Sequence, residues 1–443
     1  MYAPRQEVSP LKNTCRFVVS PLFLFLMLAA LVACGPTDGT APETAAPDST
    51  AGAEAPALTP EEEAELRARA VELAKETIIT DTHIDVPYRL HDKMEDISVA
   101  TEGGHFDYPR AVAGGLDAPF MSIYVPAELQ EGGAKEHADH LIDMVEKIAA
   151  DSPDKFAIAT SPDDLEAQKA KGLISLPMGM ENGAPIEGDL ENLRYFYDRG
   201  IRYITLTHGK VNHISDSSYD AERKWNGLSD FGLEVVAEMN RLGIMVDISH
   251  VSDDAFWKVM EISQAPAIAS HSSVRKFTPG WERNIEDEMI KKLAENGGVV
   301  SINFGSSFLT EEAQKTSTAV WRALARFTRE NGITDRSDPR VEEFRKKYVE
   351  ENPPATTSVH DVVDHIDHVV QLVGIDYVGL GSDYDGVTAL PEDLGDVSTY
   401  PTLIYELLKK GYSEDDIRKI CSGNVLRVWR EVEEVAKRLQ EAA

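Results

Sequence analysis

The chain has 443 residues, of which 42% are hydrophobic, and a formal net charge of −32 with a pI near 4.7. This length is enough for one large α/β barrel or for two smaller domains. The strong negative charge argues against nucleic-acid binding, because phosphate contacts need a basic surface. Cysteine occurs only at Cys15, Cys34 and Cys421, so neither a disulfide framework nor a cysteine-based zinc site is expected.

Residues 1–33 have the pattern of a secretory signal peptide. Lys12 and Arg16 precede an apolar run, Phe17–Ala33, that ends in small residues. Residues 31–34, LVAC, resemble the bacterial lipoprotein box. This resemblance predicts that Cys34 becomes the lipid-modified first residue of the mature protein. An uncleaved membrane anchor is the alternative, although the run is short for a full span. We therefore expect a protein anchored by lipid in a bacterial cell envelope, on the periplasmic side. The absence of Asp after Cys34 resembles lipoproteins of the outer membrane.

Residues 34–58 predict a disordered linker, because they are mostly Ala, Pro, Thr, Ser, Gly and acidic residues. The segment Thr59–Glu62 then predicts a helix start, with an N-cap, a proline in the first turn and a capping-box glutamate. We expect this helix to continue to about Lys75 and the folded domain to span residues 59–443.

After the first helix, apolar runs typical of strands alternate with amphipathic helical segments. Repeated β-then-α order predicts a parallel sheet, and eight strands in one run favour a closed (β/α)8 TIM barrel over an open sheet. The predicted strands are Thr77–Asp85, Leu116–Val125, Ile174–Glu181, Tyr203–His208, Ile244–His250, Ala267–His271, Val299–Phe304 and Tyr377–Asp383. The helices predicted between them include Lys135–Ala150, Leu190–Arg199, Ser229–Leu242 and Asp253–Ile262.

Two segments lie outside the regular alternation. A charged stretch with helical periodicity, roughly Ser306 to Thr357, predicts a helical insertion between strands seven and eight. This insertion either roofs the site or decorates the surface away from it, and the sequence leaves both open. The C-terminal part, Ser413–Glu441, predicts two helices with a break at residues 422–424.

Many of the predicted strands end in side chains that bind metals. The carboxyl ends of all strands in a (β/α)8 barrel meet at one mouth, so we expect these side chains to converge. They are His83, Asp85, Glu181, His250, His271 and Asp383. Imidazole and carboxylate ligands without thiolate suit zinc, or else manganese, cobalt or iron. The first five are too many for one open catalytic zinc, but they suit two ions bridged by a carboxylate, and such a pair promotes hydrolysis.

Seven motifs occur in order over roughly residues 75–430, namely DTHID, GMENG, TLTH, DISH, ASHSS, ERNI and GLGSDYDG. They resemble those of the membrane (renal) dipeptidase family, the M19 class of binuclear zinc peptidases. That family is a (β/α)8 barrel related to the amidohydrolases. The resemblance implies two Zn²⁺ ions per chain and hydrolysis of short peptides by a hydroxide that bridges them. The expected substrates are dipeptides with an L residue first and an L or D residue second.

The same resemblance implies a role for each site residue. One zinc would be held by His83, Asp85 and Glu181. The other would be held by Glu181, His250 and His271, with Glu181 as the bridge. Asp383 matches the acid/base carboxylate beside the metals and the substrate. His208 matches the contact to the substrate carbonyl or its oxyanion, and Arg283 matches the residue that binds the substrate's terminal carboxylate.

The sequence departs from the family pattern in two places. The family's first motif commonly reads DGHNDLP, whereas residues 81–87 read DTHIDVP, which keeps both ligand positions. The animal enzymes carry an aromatic substrate contact after an Asn-Phe pair, whereas Gly305 follows Asn303-Phe304 here. This change predicts a different side-chain selectivity.

Two other functions fit parts of this sequence pattern. A related metal-dependent hydrolase of amides or lactones is one alternative, although such relatives use HxH on the first strand and a carboxylated lysine as the bridge. A non-catalytic surface lipoprotein that keeps the barrel as a binding module is another. The expected partners are a short peptide and the membrane. The oligomeric state stays open, with a homodimer among the options.

Overall fold

The computed structural model describes residues 58–334 and 338–442. The predicted signal peptide, nearly all of the predicted linker and the predicted lipidation site at Cys34 lie outside these residues. Within the two described ranges, no helix combines the length and the apolar composition needed to cross a membrane.

Eight parallel strands close into a barrel, which confirms the predicted fold class. Around the barrel the strands follow one another in the order β1-β10-β9-β8-β7-β6-β5-β2. The strands of the described residues are β1 (Ile79–Ile84), β2 (Leu116–Tyr124), β3 (Phe156–Ile158), β4 (Ile174–Leu176), β5 (Met178–Glu181), β6 (Ile201–Thr205), β7 (Met245–Asp247), β8 (Ile268–Ala269), β9 (Val299–Ile302) and β10 (Val378–Leu380).

The third predicted strand is wrong in its extent, because it divides at Pro177. Proline has no N–H to give to a ladder, so it interrupts strand pairing. The part before it, β4, pairs with β3 in a separate two-stranded sheet. The part after it, β5, pairs with β2 and β6 in the barrel. The short strand β3 was not predicted.

Helices surround the barrel, and they begin with a helix whose predicted capping box is present at Thr59 and Glu62. They are α1 (Pro60–Glu76), α2 (Val86–Asp92), α3 (Tyr108–Gly114), α4 (Ala134–Asp151), α5 (Pro162–Lys169), α6 (Glu191–Asp198), α7 (Asp230–Leu242), α8 (Asp253–Ile262), α9 (Asp287–Glu295), α10 (Ser306–Leu309), α11 (Glu311–Glu330), α12 (Pro339–Glu351), α13 (Val359–Val373), α14 (Tyr400–Lys410), α15 (Glu414–Arg418) and α16 (Asn424–Glu441). Each of the four predicted inter-strand helices is found within two residues of its predicted ends.

The insertion between β9 and β10 combines both predicted alternatives. Its first helix, α10, places Phe308 with 6% of its surface exposed beside Arg283, whose Cζ lies 5.0 Å from the Phe308 ring centroid. The remainder, α11 and α12, forms a pair of helices joined by a stack of Phe327 on Phe344. Only Ala313 is buried among the described residues of these two helices. The start of the insertion therefore reaches the barrel mouth, whereas α11 and α12 lie on the surface.

The predicted break in the C-terminal helices is a π-helical turn, Lys419–Gly423, that joins α15 to α16. Immediately after this turn, the Asn424 side chain donates to the backbone carbonyls of Ile375 (2.7 Å) and Val378 (2.8 Å). Single π turns of this kind are rare interruptions of α-helices. The turn thus attaches the last helix to the start of β10.

A column of aromatic side chains connects this last helix to the barrel mouth. Trp429 of α16 lies 5.3 Å from Phe120 of β2, and Phe120 lies 5.5 Å from Tyr203 of β6, measured between ring centroids. All three side chains are fully buried. The Tyr203 hydroxyl lies 2.8 Å from Nδ1 of His83. A continuous row of side-chain contacts therefore connects α16 to His83, a predicted metal ligand.

Candidate metal centre

Seven of the predicted site residues, the five metal ligands together with His208 and Asp383, converge at the carboxyl end of the barrel. His83 lies in β1, and Asp85 is the first residue after that strand and the N-cap of α2. Glu181 is the last residue of β5, and the remaining side chains lie in the loops after β6, β7, β8 and β10. The structure brings all of these together, namely His83, Asp85, Glu181, His208, His250, His271 and Asp383.

The Glu181 carboxylate occupies the middle of this set, with its two oxygens facing different imidazoles. Oε1 lies 3.0 Å from Nε2 of His250 and 3.3 Å from Nε2 of His271. Oε2 lies 3.7 Å from Nε2 of His83. A carboxylate whose two oxygens face different imidazoles has the geometry of a ligand that can bridge two ions.

The potential ligands form three groups, and within each group the donor atoms lie within 4.8 Å of one another. They differ from the two predicted sets, because they also include His208 and Asp383. The groups are His83 with Glu181 and His271, Glu181 with His208 and His250, and His83 with Asp85 and Asp383. The centre is therefore more crowded with donors than the motif comparison indicated.

The donors fit a metal pair in chemistry and in hydrogen bonding. Nε2 of His83 and Oδ1 of Asp85 are buried polar atoms without a hydrogen-bond partner among the described residues. Such atoms are costly unless something binds them. Burial, and then the charge of Arg283, hold the pKa of His250 well below its usual range. Burial, and then the charge of His83, do the same for the pKa of His271. Neutral imidazole is the form that binds a metal.

The pKa values of two carboxyl groups in the centre are shifted in opposite directions. Burial raises the pKa of Glu181, but His208 and His83 oppose it and hold that pKa well below its usual value. Burial, and then the nearby charge of Asp85, raise the pKa of Asp383 to about 8. A carboxyl group that keeps a proton near neutral pH suits a proton shuttle.

Hydrogen bonds that involve Ser270 and Asp247 determine which ring nitrogen of His271 carries the proton. Neither residue was predicted as part of the site. The Ser270 hydroxyl donates to Asp247 Oδ2 at 2.6 Å, so it accepts from Nδ1–H of His271 at 2.7 Å. The lone pair of His271 is then on Nε2, which faces Glu181. Such outer partners orient metal ligands. Asp247 was visible in the DISH motif, but nothing in the sequence showed which face it occupies.

Asn303 orients Asp383 in the same manner. Its Oδ1 accepts from the Gly305 N–H at 2.7 Å, so its Nδ2–H₂ is the group that donates to Asp383 Oδ2 at 2.8 Å. Asp383 has a left-handed backbone with φ of 63°, and His250 has φ of 67°. Left-handed non-glycine residues are strained and concentrate at functional sites.

Arg283 and His208 lie at the edges of the donor set. Arg283 donates to Ser272 Oγ (2.7 Å), to the His271 carbonyl (2.8 Å) and to Nε2 of His250 (3.1 Å). Its Nε–H is buried without a hydrogen-bond partner among the described residues. The His208 side chain is 25% exposed, and the centroid of its ring lies 4.2 Å from the centroid of the His250 ring. Part of the His208 imidazole is therefore accessible from the barrel mouth.

Removing the hydroxyl of Tyr203 should weaken metal binding. In a Tyr203→Phe variant, Nδ1 of His83 loses the partner that orients its ring, and loss of such partners costs about 10- to 100-fold in metal affinity. The measurement is metal content after dialysis against zinc buffers of known free concentration. Tyr405→Phe is the matched control, because the Tyr405 hydroxyl is also buried but has no hydrogen-bond partner among residues 58–334 and 338–442. Equal zinc affinity in the two variants would contradict this role.

Comparison with known proteins agrees with this geometry. The family model for membrane dipeptidase (peptidase family M19) matches residues 67–443. Dipeptidase 3 of Mus musculus is 31% identical over 383 residues, which cover 84% of this chain and 68% of the mouse protein. Dipeptidase 3 of Rattus norvegicus is 30% identical over 383 residues, with 84% and 69% covered.

Solved structures give the same result. The chain is similar to the probable dipeptidase PvdM of Pseudomonas aeruginosa, with a TM-score of 0.71 and 26% sequence identity. The match covers 84% of this chain and 100% of that one. A Rhodobacter sphaeroides metallo peptidase, liganded with a phosphinate mimic of the dipeptide L-Ala-D-Ala, has a TM-score of 0.66 and 25% identity over 80% and 99% of the two chains. The chain therefore belongs to the membrane dipeptidase family, peptidase family M19, and is a metal-dependent dipeptidase.

Proposed function

We propose that this dipeptidase uses two zinc ions and hydrolyses dipeptides with an L residue first and an L or D residue second. The observation that carries the proposal is the position of Glu181, whose Oε2 faces His83 and whose Oε1 faces His250 and His271. A likeness to the Rhodobacter enzyme, which binds a mimic of L-Ala-D-Ala, supports a D residue in the second position.

The residues would divide between two ions with Glu181 shared. His83 and Asp85 would join Glu181 at one ion, and His250 and His271 would join it at the other. Imidazole and carboxylate donors suit zinc. A bound metal pair would supply a nucleophilic water of lowered pKa and would polarise the scissile carbonyl.

Asp383 would move the proton that hydrolysis requires. Its Oδ2 accepts from Asn303, so Oδ1 is the oxygen that can take up a proton and then give it to the leaving amine. The raised pKa of Asp383, about 8, makes its protonated form accessible near neutral pH. Asn303 would act as a positioning residue, because it touches Asp383 and not the substrate.

His208 and Arg283 would hold the two ends of the reacting peptide. His208 faces the mouth and would donate to the oxygen of the scissile carbonyl as negative charge develops there. The unpartnered Nε–H of Arg283 would donate to the substrate's free carboxylate. A carboxylate bound so close to the centre would restrict hydrolysis to short peptides.

Dipeptide hydrolysis is the direct test of this proposal. The chain from residue 59 onward should hydrolyse L,L or L,D dipeptides when zinc is present, and a chelator should abolish this activity reversibly. The measurement is amino-acid release from a panel of both stereochemistries, with lactones and N-acyl amino acids alongside. Turnover of those compounds without any dipeptide turnover would favour the alternative of a related amide or lactone hydrolase.

Asp383→Asn should separate proton transfer from metal binding. The amide has a similar shape but cannot shuttle a proton, so we expect kcat to fall by about 10²- to 10⁴-fold while the zinc content stays at the wild-type value. Asp415→Asn is the control, because the Asp415 side chain is 91% exposed and far from the barrel mouth in the short helix α15. Unchanged kcat in the Asp383 variant would refute its assigned role.

We further propose that Cys34 carries a lipid that anchors the enzyme in the bacterial cell envelope, on the periplasmic side. The support is the sequence pattern of residues 1–34, a basic start, an apolar run and a small residue before the cysteine.

Labelling with radioactive palmitate in bacteria that express the full chain tests the anchor. Cys34→Ala should lose the label and leave the membrane fraction, whereas the control Cys15→Ala should keep both. Label retained by Cys34→Ala would contradict lipidation at this cysteine. An unlabelled wild-type chain in the membrane fraction would instead favour an uncleaved anchor.

A further inference from the structure

We infer that Tyr219 and Trp281, backed by Phe308, form a subsite for the side chain of the substrate's second residue, and that it favours aromatic and large apolar side chains. The inference rests on the proposed function, because the place of the substrate's carboxylate defines where that side chain lies.

The three aromatic rings form a continuous wall. The Tyr219 and Trp281 rings lie 6.2 Å apart in an edge-to-face arrangement, and Trp281 lies 5.0 Å from Phe308 in a similar one. Phe308 is 6% exposed and supports the wall from behind, whereas Tyr219 is 45% exposed. Exposed aromatic surface beside a metal centre can be covered by a ligand that is itself apolar.

The wall borders both the metal centre and the proposed carboxylate anchor. The Tyr219 ring is 5.6 Å from the ring of His250, and the Arg283 guanidinium lies over the Phe308 ring. In an amino acid the carboxylate carbon and Cβ are only about 2.5 Å apart, because both are bonded to Cα. A residue whose carboxylate is held by Arg283 must therefore direct its side chain into the immediate surroundings of that arginine, which include the Phe308 ring.

An ion pair holds the two loops of the wall together before any substrate binds. Arg223, in the loop that carries Tyr219, donates to the Ser217 carbonyl at 2.8 Å and pairs with Glu282. Glu282 is the residue between Trp281 and Arg283, and its Oε1 also accepts from the Asp253 N–H at 2.9 Å. These two charges neutralise each other at the rim, so a charged substrate side chain would find its opposite charge already paired.

A larger residue cannot simply replace Gly305 in this chain. A Cβ added at Gly305 would lie 2.6 Å from Val387 Cγ1 and 3.1 Å from Phe308 Cδ2. Val387 and Phe308 thus fill the space beside Gly305. Aromatic surface near the substrate is then supplied from another direction, by the loops that carry Tyr219 and Trp281.

The experiment compares kcat/KM for Ala-Phe, Ala-Leu and Ala-Ala in the zinc-loaded enzyme, with L and D second residues. The wild type should prefer Ala-Phe and Ala-Leu over Ala-Ala. In Trp281→Ala and in Tyr219→Ala, the ratio of kcat/KM for Ala-Phe to that for Ala-Ala should fall about tenfold, the discrimination typical of a small change in an apolar pocket. Trp281→Phe should retain most of the ratio, because it keeps an aromatic wall.

Trp257→Ala is the matched control. Trp257 is 43% exposed on α8 and packs against Phe256 at the surface, so its removal should leave the ratio unchanged. If the wild type hydrolyses all three dipeptides and neither alanine variant alters the ratio, the subsite is refuted while the dipeptidase function stands. If the wild type hydrolyses no dipeptide, the proposed substrates fail and the subsite fails with them.

Affinity for phosphinate analogues of Ala-Phe and Ala-Ala, measured by calorimetry, gives a readout that does not depend on turnover. We expect Trp281→Ala to weaken the Ala-Phe analogue about tenfold more than the Ala-Ala analogue. Equal weakening of both analogues would indicate a general structural effect and would overturn the subsite.

Discussion

Three carboxylates buried at the mouth of one barrel are the constraint on which this structure depends. Asp85, Glu181 and Asp383 are 5%, 4% and 8% exposed. A carboxylate removed from water is costly by several kcal/mol unless opposite charge or protonation compensates it. In the chain alone, the compensation takes the form of retained protons, since the pKa of Asp383 is raised to about 8 and the pKa of His83 is raised well above its usual range. Divalent cations can replace those protons, and metal binding of this kind releases protons.

The supporting residues share one task, which is to present lone pairs and not N–H groups to the centre. Ser270 and Asp247 do this for His271, and Tyr203 lies in position to do it for His83. Asn303 does the equivalent for a carboxylate by binding one oxygen of Asp383. Each of these partners is buried, so a lost hydrogen bond could not be replaced by solvent. The reactivity of the centre therefore depends on the packing of strands β6, β7 and β9 as much as on the donors themselves.

Much of the fold and of the donor set could be predicted from the sequence, because a parallel barrel imposes strong rules. Alternating apolar strands and amphipathic helices predict the closed sheet, and polar strand ends such as His83 and Glu181 then must meet at one mouth. The two-stranded sheet was missed because β3 is only three residues long and only Pro177 separates β4 from β5. Tyr203 was missed because an aromatic residue in an apolar strand looks like core, and only coordinates show its hydroxyl beside His83. Tyr219 and Trp281 lie in loops whose shape depends on the long-range pair of Arg223 and Glu282, a contact that no local pattern indicates.

The aromatic column from Trp429 to His83 makes the candidate metal centre dependent on α16, a helix that follows every donor in the sequence. Trp429 supports Phe120, which supports Tyr203, and the Tyr203 hydroxyl in turn meets the first ligand of the sequence. A growing polypeptide that has already produced every donor still lacks the helix on which this column rests. Only a chain in which α16 has docked can therefore orient the ring of His83 through this column.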